Sequence, residues 1–588
     1  MKHLFRLNKY FVKYKWHLLS GIVFVFLSNY FRIKIPQTIR DALNSIFDLV
    51  QSQKTSDNSG DFSLLFGSEV TKYALYVVGF ALVMGVFMYL MRQTIIVMSR
   101  LIEYDIRKEI YDHYQGLDTA FYKGNKTGDL MSRVAEDVGK VRMYLGPALL
   151  YGINLIGLCV LVIYAMLKVN VELTFYTLIP LPFLSLSIYY VSRLINKRSE
   201  NIQKQLSVLT ANSQEVYSGI RVLKSYGVED RFRSEFNEES EQFKSYSMDL
   251  AKVNAFFFPL MILIISLSTL LTIYISGRLV GEGALTPGTI AEFIIYVNYL
   301  TWPFTSIGWI ASIVQQAEAS QKRINAILDT QSTVVNEGTD TSEIVGKIEF
   351  RDVTFVYPDT GVKALDNVSF TLEAGEKLAI MGRTASGKST ICELITRMYD
   401  VTSGVILVDG IPIIQLNLDD LRKVLGYVPQ DGFLYSDTIH NNITFGVPGE
   451  DRQRVEQIAE ASAVHSDIVS FPEGYETLVG ERGVTLSGGQ KQRISIARAL
   501  IKDPQIVLLD DCLSAVDTKT EKKILGYLSE QLAGKTAIII THRILHYIEF
   551  DKIIVLDEGK IMEQGSHTQL IAEEGLYHRL VQNQKYEG

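Results

Sequence analysis

The sequence predicts a multi-domain membrane protein, in which an all-α domain of six transmembrane helices is followed by an α/β P-loop nucleotide-binding domain. Three observations carry this. Six long apolar runs lie in the first 325 or so residues, each near the ~20 residues that cross a bilayer. The remainder alternates short apolar strands with helical stretches, as a layered α/β domain does. Within that remainder, Gly382–Thr390 reads GRTASGKST, a match to the phosphate-binding loop that ends a buried strand and opens a helix.

The helical half begins with Leu4–Tyr14, basic and amphipathic, as an interfacial helix would be. The first span covers His17 to about Phe47 and carries Arg32 and Lys34 beside Pro36. The others cover Val70 to about Val97, Tyr144–Leu167, Leu173–Ile195, Ala255–Val280 and Ile290–Val314. No cleavable signal peptide is evident, because the basic start leads into a full span. The N-terminus and the 98–142 and 192–252 connections are rich in Lys and Arg, whereas 51–69, 168–172 and 281–288 are poor in them. The positive-inside rule then places both termini in the cytoplasm. The long, charged cytoplasmic connections keep helical periodicity, so the spans are expected to continue as helices beyond the membrane. Arg32, Lys34 and Arg92 are expected to face a polar cavity or reach the interface. The stretch Tyr296, Asn298, Tyr299 and Trp302 suits helix packing and substrate contact equally.

The domain boundaries read as 1–328 for the membrane half, 329–345 for a polar linker and 346–588 for the α/β half. A formal net charge of −7 argues against a nucleic-acid partner, which usually meets a basic face. Cys159, Cys392 and Cys512 lie far apart, giving neither a disulfide framework nor a zinc site.

In the α/β half, short strands are expected at Ile348–Phe350, Thr354–Val356, Val368–Leu372 and Lys377–Met381. Around the loop Gly382, Arg383, Thr384, Ala385, Ser386, Gly387, Lys388, Ser389 and Thr390, the glycines let backbone N–H groups turn toward phosphate oxygens. Lys388 can reach the terminal phosphates and Ser389 can ligate Mg²⁺. A second buried strand, Ile506–Asp510, ends in the carboxylate that a metal beside such a loop requires. Leu486–Gln490 (LSGGQ) precedes a helix, so Ser487, Gly488, Gly489 and Gln490 present an anion site built from backbone N–H groups and the helix dipole. Tyr357 could stack on a nucleotide base.

These residues, with Gln430 in VPQD and His542 in ITHR, resemble the ATP-binding-cassette (ABC) family over essentially the whole chain, in the order of an exporter half-transporter. The resemblance implies ATP and Mg²⁺ as cofactors, with Tyr357 as the adenine-stacking aromatic. It makes Gly382–Thr390 the Walker A loop, Gln430 the Q-loop residue beside the metal, Leu486–Gln490 the signature, Asp510 the Walker B aspartate and His542 the switch histidine. Val479–Gly483 looks like the X-loop, Ser514–Asp517 like the D-loop. Phe121 with Thr127–Arg133, and Glu215–Tyr226, look like the two coupling regions. Asp511 stands where the family's catalytic base is Glu. A carboxylate shorter by one methylene sits farther from the attacking water, and a misplacement near 1 Å can cost ~10²-fold in rate.

The family places each ATP between one cassette's Walker A loop and another's signature, so a second ABC half-transporter chain is required. Asp511 beside an intact signature resembles the degenerate-site subunit of heterodimeric bacterial multidrug exporters (the BmrC type), and a heterodimer is favoured. The expected role is ATP-driven export of hydrophobic or amphipathic compounds across the plasma (inner) membrane. The alternatives are a homodimeric lipid flippase or drug exporter with Asp511 as the working base, and a non-transporting regulatory ABC ATPase.

Overall fold

The computed structural model describes residues 2–53, 59–447, 449–480, 486–512, 518–543 and 548–587. The chain divides into two compact units: Met1–Tyr114 with Gly128–Thr330, and Gln115–Thr127 with Gln331–Gly588.

The first unit is helical. Its long helices are Lys15–Gln53, Ser59–Gln115, Leu149–Val169, Pro180–Ser218, Glu229–Gly281 and Gly288–Leu328. Among the described residues, five stretches are long and apolar enough to cross a membrane: Lys15–Gln51, Gly67–Gln115, Thr127–Val169, Val171–Ser218 and Glu229–Gly281. The sixth expected span falls within Gly288–Leu328. The 57-residue helix runs about 85 Å at 1.5 Å per residue, far more than a bilayer core needs. Pro36, Pro259 and Pro303 sit inside helices, as proline can where neighbouring helices satisfy the freed carbonyls.

Small residues let these helices approach closely: a Cβ added at Gly146 would stand 2.6 Å from the Ser99 hydroxyl. Several polar residues of the spans find partners within the helices, as intramembrane charges usually do. Arg32 lies over the Tyr299 ring at 4.5 Å, while Arg92 is exposed. Arg40 pairs at 3.1 Å with Glu292, whose side chain is fully buried and also accepts a 2.9 Å hydrogen bond from Tyr296. Trp302 meets Tyr151 edge-on. Tyr296 and Tyr299 are thus taken up by contacts inside the helix bundle, whereas Asn298 and Trp302 remain exposed.

The second unit holds two sheets. An antiparallel one has the order β2-β1-β4-β5, from Ile348–Val356 (β1), Lys363–Leu372 (β2), Ser403–Val408 (β4) and Ile411–Pro412 (β5). The other has the order β10-β9-β3-β8-β7-β6, from Lys377–Gly382 (β3), Leu425–Val428 (β6), Ile506–Asp510 (β7), Thr536–Ile540 (β8), Lys552–Asp557 (β9) and Lys560–Gly565 (β10). In it β9, β3, β8, β7 and β6 run parallel and β10 antiparallel. The two short strands expected at 348–350 and 354–356 are one strand. It is interrupted by a bulge at Arg351–Asp352, where Asp352 takes φ 51° and the register shifts. Such a bulge breaks the period-2 pattern while leaving the strand continuous. The short helix Thr119–Gly124 belongs to this unit, and Ala120 packs on its core.

Candidate functional site

The site begins with β3. Its Leu378, Ala379, Ile380, Met381 and Gly382 are all buried, flanked by parallel β8 and β9, so the strand points its carboxyl end at a fixed place. The chain then turns around two glycines that no other residue could replace. Gly382 has φ 151°, and an added Cβ would stand 2.1 Å from the Leu556 carbonyl oxygen; Gly387 has φ 98°, with the Ala364 carbonyl oxygen 2.3 Å away. The helix Lys388–Ile395 opens directly after Gly387.

Lys388 is 6% exposed, and its ammonium donates to the carbonyls of Gly382 (3.0 Å) and Arg383 (2.6 Å). Burial lowers its pKa, against the pull of Asp510 and Asp511. The Ser386 hydroxyl is buried without a hydrogen-bond partner among the described residues.

Ala385 sits in the same loop at φ 63°, a left-handed conformation that costs an L-residue roughly 1–2 kcal/mol. Ala385→Gly is expected to raise the stability of the nucleotide-free protein by up to about 1 kcal/mol, after allowing for glycine's freer unfolded chain. Thermal melting of the two proteins checks this; an unchanged or lower midpoint would place the loop's strain elsewhere.

Strand order brings the remaining groups together. β8 lies between β3 and β7, with Asp510 opposite Ile540 in the parallel register. Asp510 and Asp511 therefore emerge beside the loop, and His542 follows β8 by two residues. β6 ends opposite Leu509, with exposed Gln430 two residues on at the same end of the sheet. Ligand sites of open α/β sheets form at such carboxyl ends.

Asp510 is 3% exposed. Burial raises its pKa, a hydrogen bond from Ser389 opposes this, and the Asp511 charge adds to it. Its Oδ1 has no hydrogen-bond partner among the described residues. A buried carboxylate oxygen left open beside a serine hydroxyl is a donor set that suits a hard divalent cation. Asp511 takes φ 42°, which Asp tolerates better than most residues, and its N–H donates to the Ile540 carbonyl at 3.0 Å. Burial, then the Lys388 charge, lowers the His542 pKa, while Asp511 raises it. The ring is thereby held toward its neutral, proton-accepting form.

The Leu486–Gln490 segment opens the helix Gly488–Leu500 with a reciprocal capping box. The Gln490 N–H donates to the Ser487 hydroxyl at 3.3 Å, and the Ser487 N–H to Gln490 Oε1 at 2.9 Å. Asp467 steadies this turn, accepting from Gln490 Nε2 (3.3 Å) and from Arg493 (2.7 Å). This segment is a preformed helix end, whose Ser487 side chain serves its own cap. Residues 481–483 of the expected X-loop and Ser514–Asp517 of the expected D-loop lie outside the described residues.

Tyr357 follows β1 and lies next to the loop. Its hydroxyl is 2.9 Å from Thr390 Oγ1 and donates to Glu393 at 2.8 Å. Three neighbours that sequence reasoning did not single out complete this corner: Lys123, Glu393 and Tyr399. The Lys123 ammonium lies 4.9 Å from the Tyr357 ring centre and 5.0 Å from that of Tyr399, and pairs with Glu393 at 3.2 Å. Nothing in the local sequence ties position 123 to position 357.

Comparison with known proteins agrees with this arrangement. The family described as "ABC transporter transmembrane region" matches residues 18–304, and "ABC transporter" matches residues 365–514. The chain is 38% identical over 485 residues to the Multidrug resistance-like ATP-binding protein MdlA of Escherichia coli (strain K12), covering 82% of each. It is 34% identical over 485 residues to the ATP-dependent lipid A-core flippase of Syntrophus aciditrophicus (strain SB), covering 82% of this chain and 80% of that protein. Its structure resembles that of a bacterial Atm1-family ABC exporter with ATP bound, with a TM-score of 0.75, 25% identity, and coverage of 96% of this chain and 97% of that one. With a helical membrane unit, a phosphate loop and a capped LSGGQ helix in one polypeptide, the chain belongs to the ABC transporter family.

Proposed function

We propose that this chain is one half of an ATP-driven exporter dimer that carries hydrophobic or amphipathic compounds of the drug or lipid type across the plasma (inner) membrane. Within that dimer it contributes the weaker ATP site of a heterodimer. The relatives named for multidrug resistance and for lipid A-core flipping support the substrate class. The basic connections support cytoplasmic termini.

The observation that carries the heterodimer reading is Asp511. Its charge acts on Lys388, Asp510 and His542, which supports reading it as a general base with one methylene too few. Asp510 and Ser389 would hold Mg²⁺, with Gln430 at the same sheet end; that ion supplies charge neutralisation to the phosphates. Lys388 turns from its own carbonyls to the terminal phosphates, and His542, kept neutral, accepts a hydrogen bond near the terminal phosphate or attacking water. The chain's own Leu486–Gln490 completes the partner's site. Binding energy drives transport only through its differential affinity for the two conformations of the dimer.

The second reading is a homodimer with Asp511 as the working base, favoured by the proximity of that residue to Lys388 and His542. ATP turnover of the chain alone, of Asp511→Glu alone, and of each with the half-transporter encoded beside it distinguishes the two. The heterodimer reading expects negligible turnover from either form alone, turnover on adding the partner, and an increase of up to ~10²-fold at this chain's own site with Asp511→Glu. Robust turnover from the unaltered chain alone would overturn it.

A further inference from the structure

We propose that Lys123 is a nucleotide-sensing residue: its ammonium covers the face of Tyr357 that a nucleotide base must take, so base binding expels it and is registered in the helix Thr119–Gly124. This rests on the reading of Tyr357 as the base-stacking residue.

The geometry behind it is a closed cluster. The Tyr357 ring is fixed at its hydroxyl by Thr390 and Glu393, and by the rings of Phe355 (4.9 Å) and Tyr399 (5.6 Å), both steeply inclined to it. Turning the ring would cost it those contacts. Lys123 Nζ stands 4.9 Å from its centre, within the reach of a cation–π contact. A planar base stacks a few ångströms above a ring and cannot share that space with an ammonium. On expulsion Lys123 keeps an ion-pair partner, because Glu393 lies 3.2 Å away with its side chain 17% exposed. The displacement is therefore a short swing rather than a release into solvent.

The other end of the same helix is tied elsewhere. Asp118 caps it by accepting from the Phe121 N–H at 3.0 Å. It also accepts from the Thr333 N–H and hydroxyl, both at 2.6 Å. One end is thus held by the segment after residue 330, and the other rests on the base-binding tyrosine. The helix belongs to the second unit although the chain on both sides of it, up to Tyr114 and from Gly128, belongs to the first. Lys123 thus sits in the segment that joins two stretches of the first unit along the chain.

The test separates base from phosphate. Binding of Mg-ATP and of Mg-tripolyphosphate, which has no base, is titrated by calorimetry on the full-length protein in lipid nanodiscs. Lys123→Met is expected to tighten ATP roughly 2–5-fold, the worth of an exposed cation–π contact, and to leave tripolyphosphate unchanged. Lys123→Arg should keep the wild-type ratio. In the unaltered protein, ATP but not tripolyphosphate should change amine-reactive labelling of Lys123, read by mass spectrometry. An unchanged or lowered ATP preference in Lys123→Met, or equal labelling with both ligands, overturns the proposal. Tyr357→Ala reports separately on the underlying reading: if it leaves the preference for ATP over tripolyphosphate intact, Tyr357 does not stack the base and both ideas fall. If it removes the preference while Lys123→Met changes nothing, only the sensing role is lost.

Discussion

Lys388→Ala is expected to lower ATP turnover at this chain's own site, read in a dimer whose partner site is disabled, by ~10²–10³-fold, the usual cost of removing one preorganised charge donor from a transition state. The Lys388 ammonium is 6% exposed and bound to the Gly382 and Arg383 carbonyls, so it is already desolvated and already at the loop. Little reorganisation separates that position from a phosphate oxygen, and no other Lys or Arg lies in the loop except Arg383, which is exposed. The nucleotide-free fold should change much less. Burial lowers the Lys388 pKa, so the fold loses a strained cation along with two hydrogen bonds. Steady-state turnover and the melting midpoint of the apo protein are measured together. A turnover loss below tenfold, or a melt that collapses with it, would show that Lys388 serves the loop's structure rather than the reaction.

The second large effect is expected at Asp510, where activity and stability should move in opposite directions. Asp510→Asn should lower Mg²⁺-dependent turnover at this chain's own site by ~10²-fold or more, since the carboxylate is the only buried anion on the described part of the loop-facing sheet end, and a metal held by a carboxylate stabilises charge that an amide does not. Without nucleotide the variant should be as stable as the parent or more so. Burial raises the Asp510 pKa above that of the unfolded chain. The folded state therefore holds the proton more tightly, and ionisation becomes a penalty as pH rises from the ordinary carboxylate range through the raised value. The penalty is complete once the pH has passed the raised value; the amide removes it. Melting midpoints from pH 4 to 8 should fall more steeply for the parent than for the variant. Parallel curves would mean that Asp510 is no less comfortable than an exposed carboxylate.

Both effects depend on a juxtaposition that the residues announce only in part. Lys377–Met381 and Ile506–Asp510 are readable as buried strands because Leu378–Met381 and Ile506–Leu509 are apolar at every step, and Gly382–Thr390 is readable because its backbone must curl. Apolar periodicity likewise exposes the long helices. Period alone cannot find a bulge, and so β1 reads as two strands: Asp352 at φ 51° flips the alternation within one continuous strand. Nor does the Gly-rich pattern reveal that Ala385 shares the left-handed geometry of its glycine neighbours.

The chemistry-bearing residues and their order along the chain follow from short-range demands: hydrophobic burial of single strands, φ angles open only to glycine, and the capping of one helix by its own Ser487 and Gln490. These are local, so they leave a local mark in composition and spacing. The insertion of β8 between β3 and β7, which sets Asp510 and His542 beside Lys388, is decided by non-local pairing: Ile506 meets Thr536, 30 positions on, and Lys377 meets Ala537, 160 positions on. So is the meeting of Lys123 with Tyr357, 234 positions later. Each of those pairings depends on which faces and charges remain unsatisfied once the local elements have formed, and only the packed chain resolves that choice.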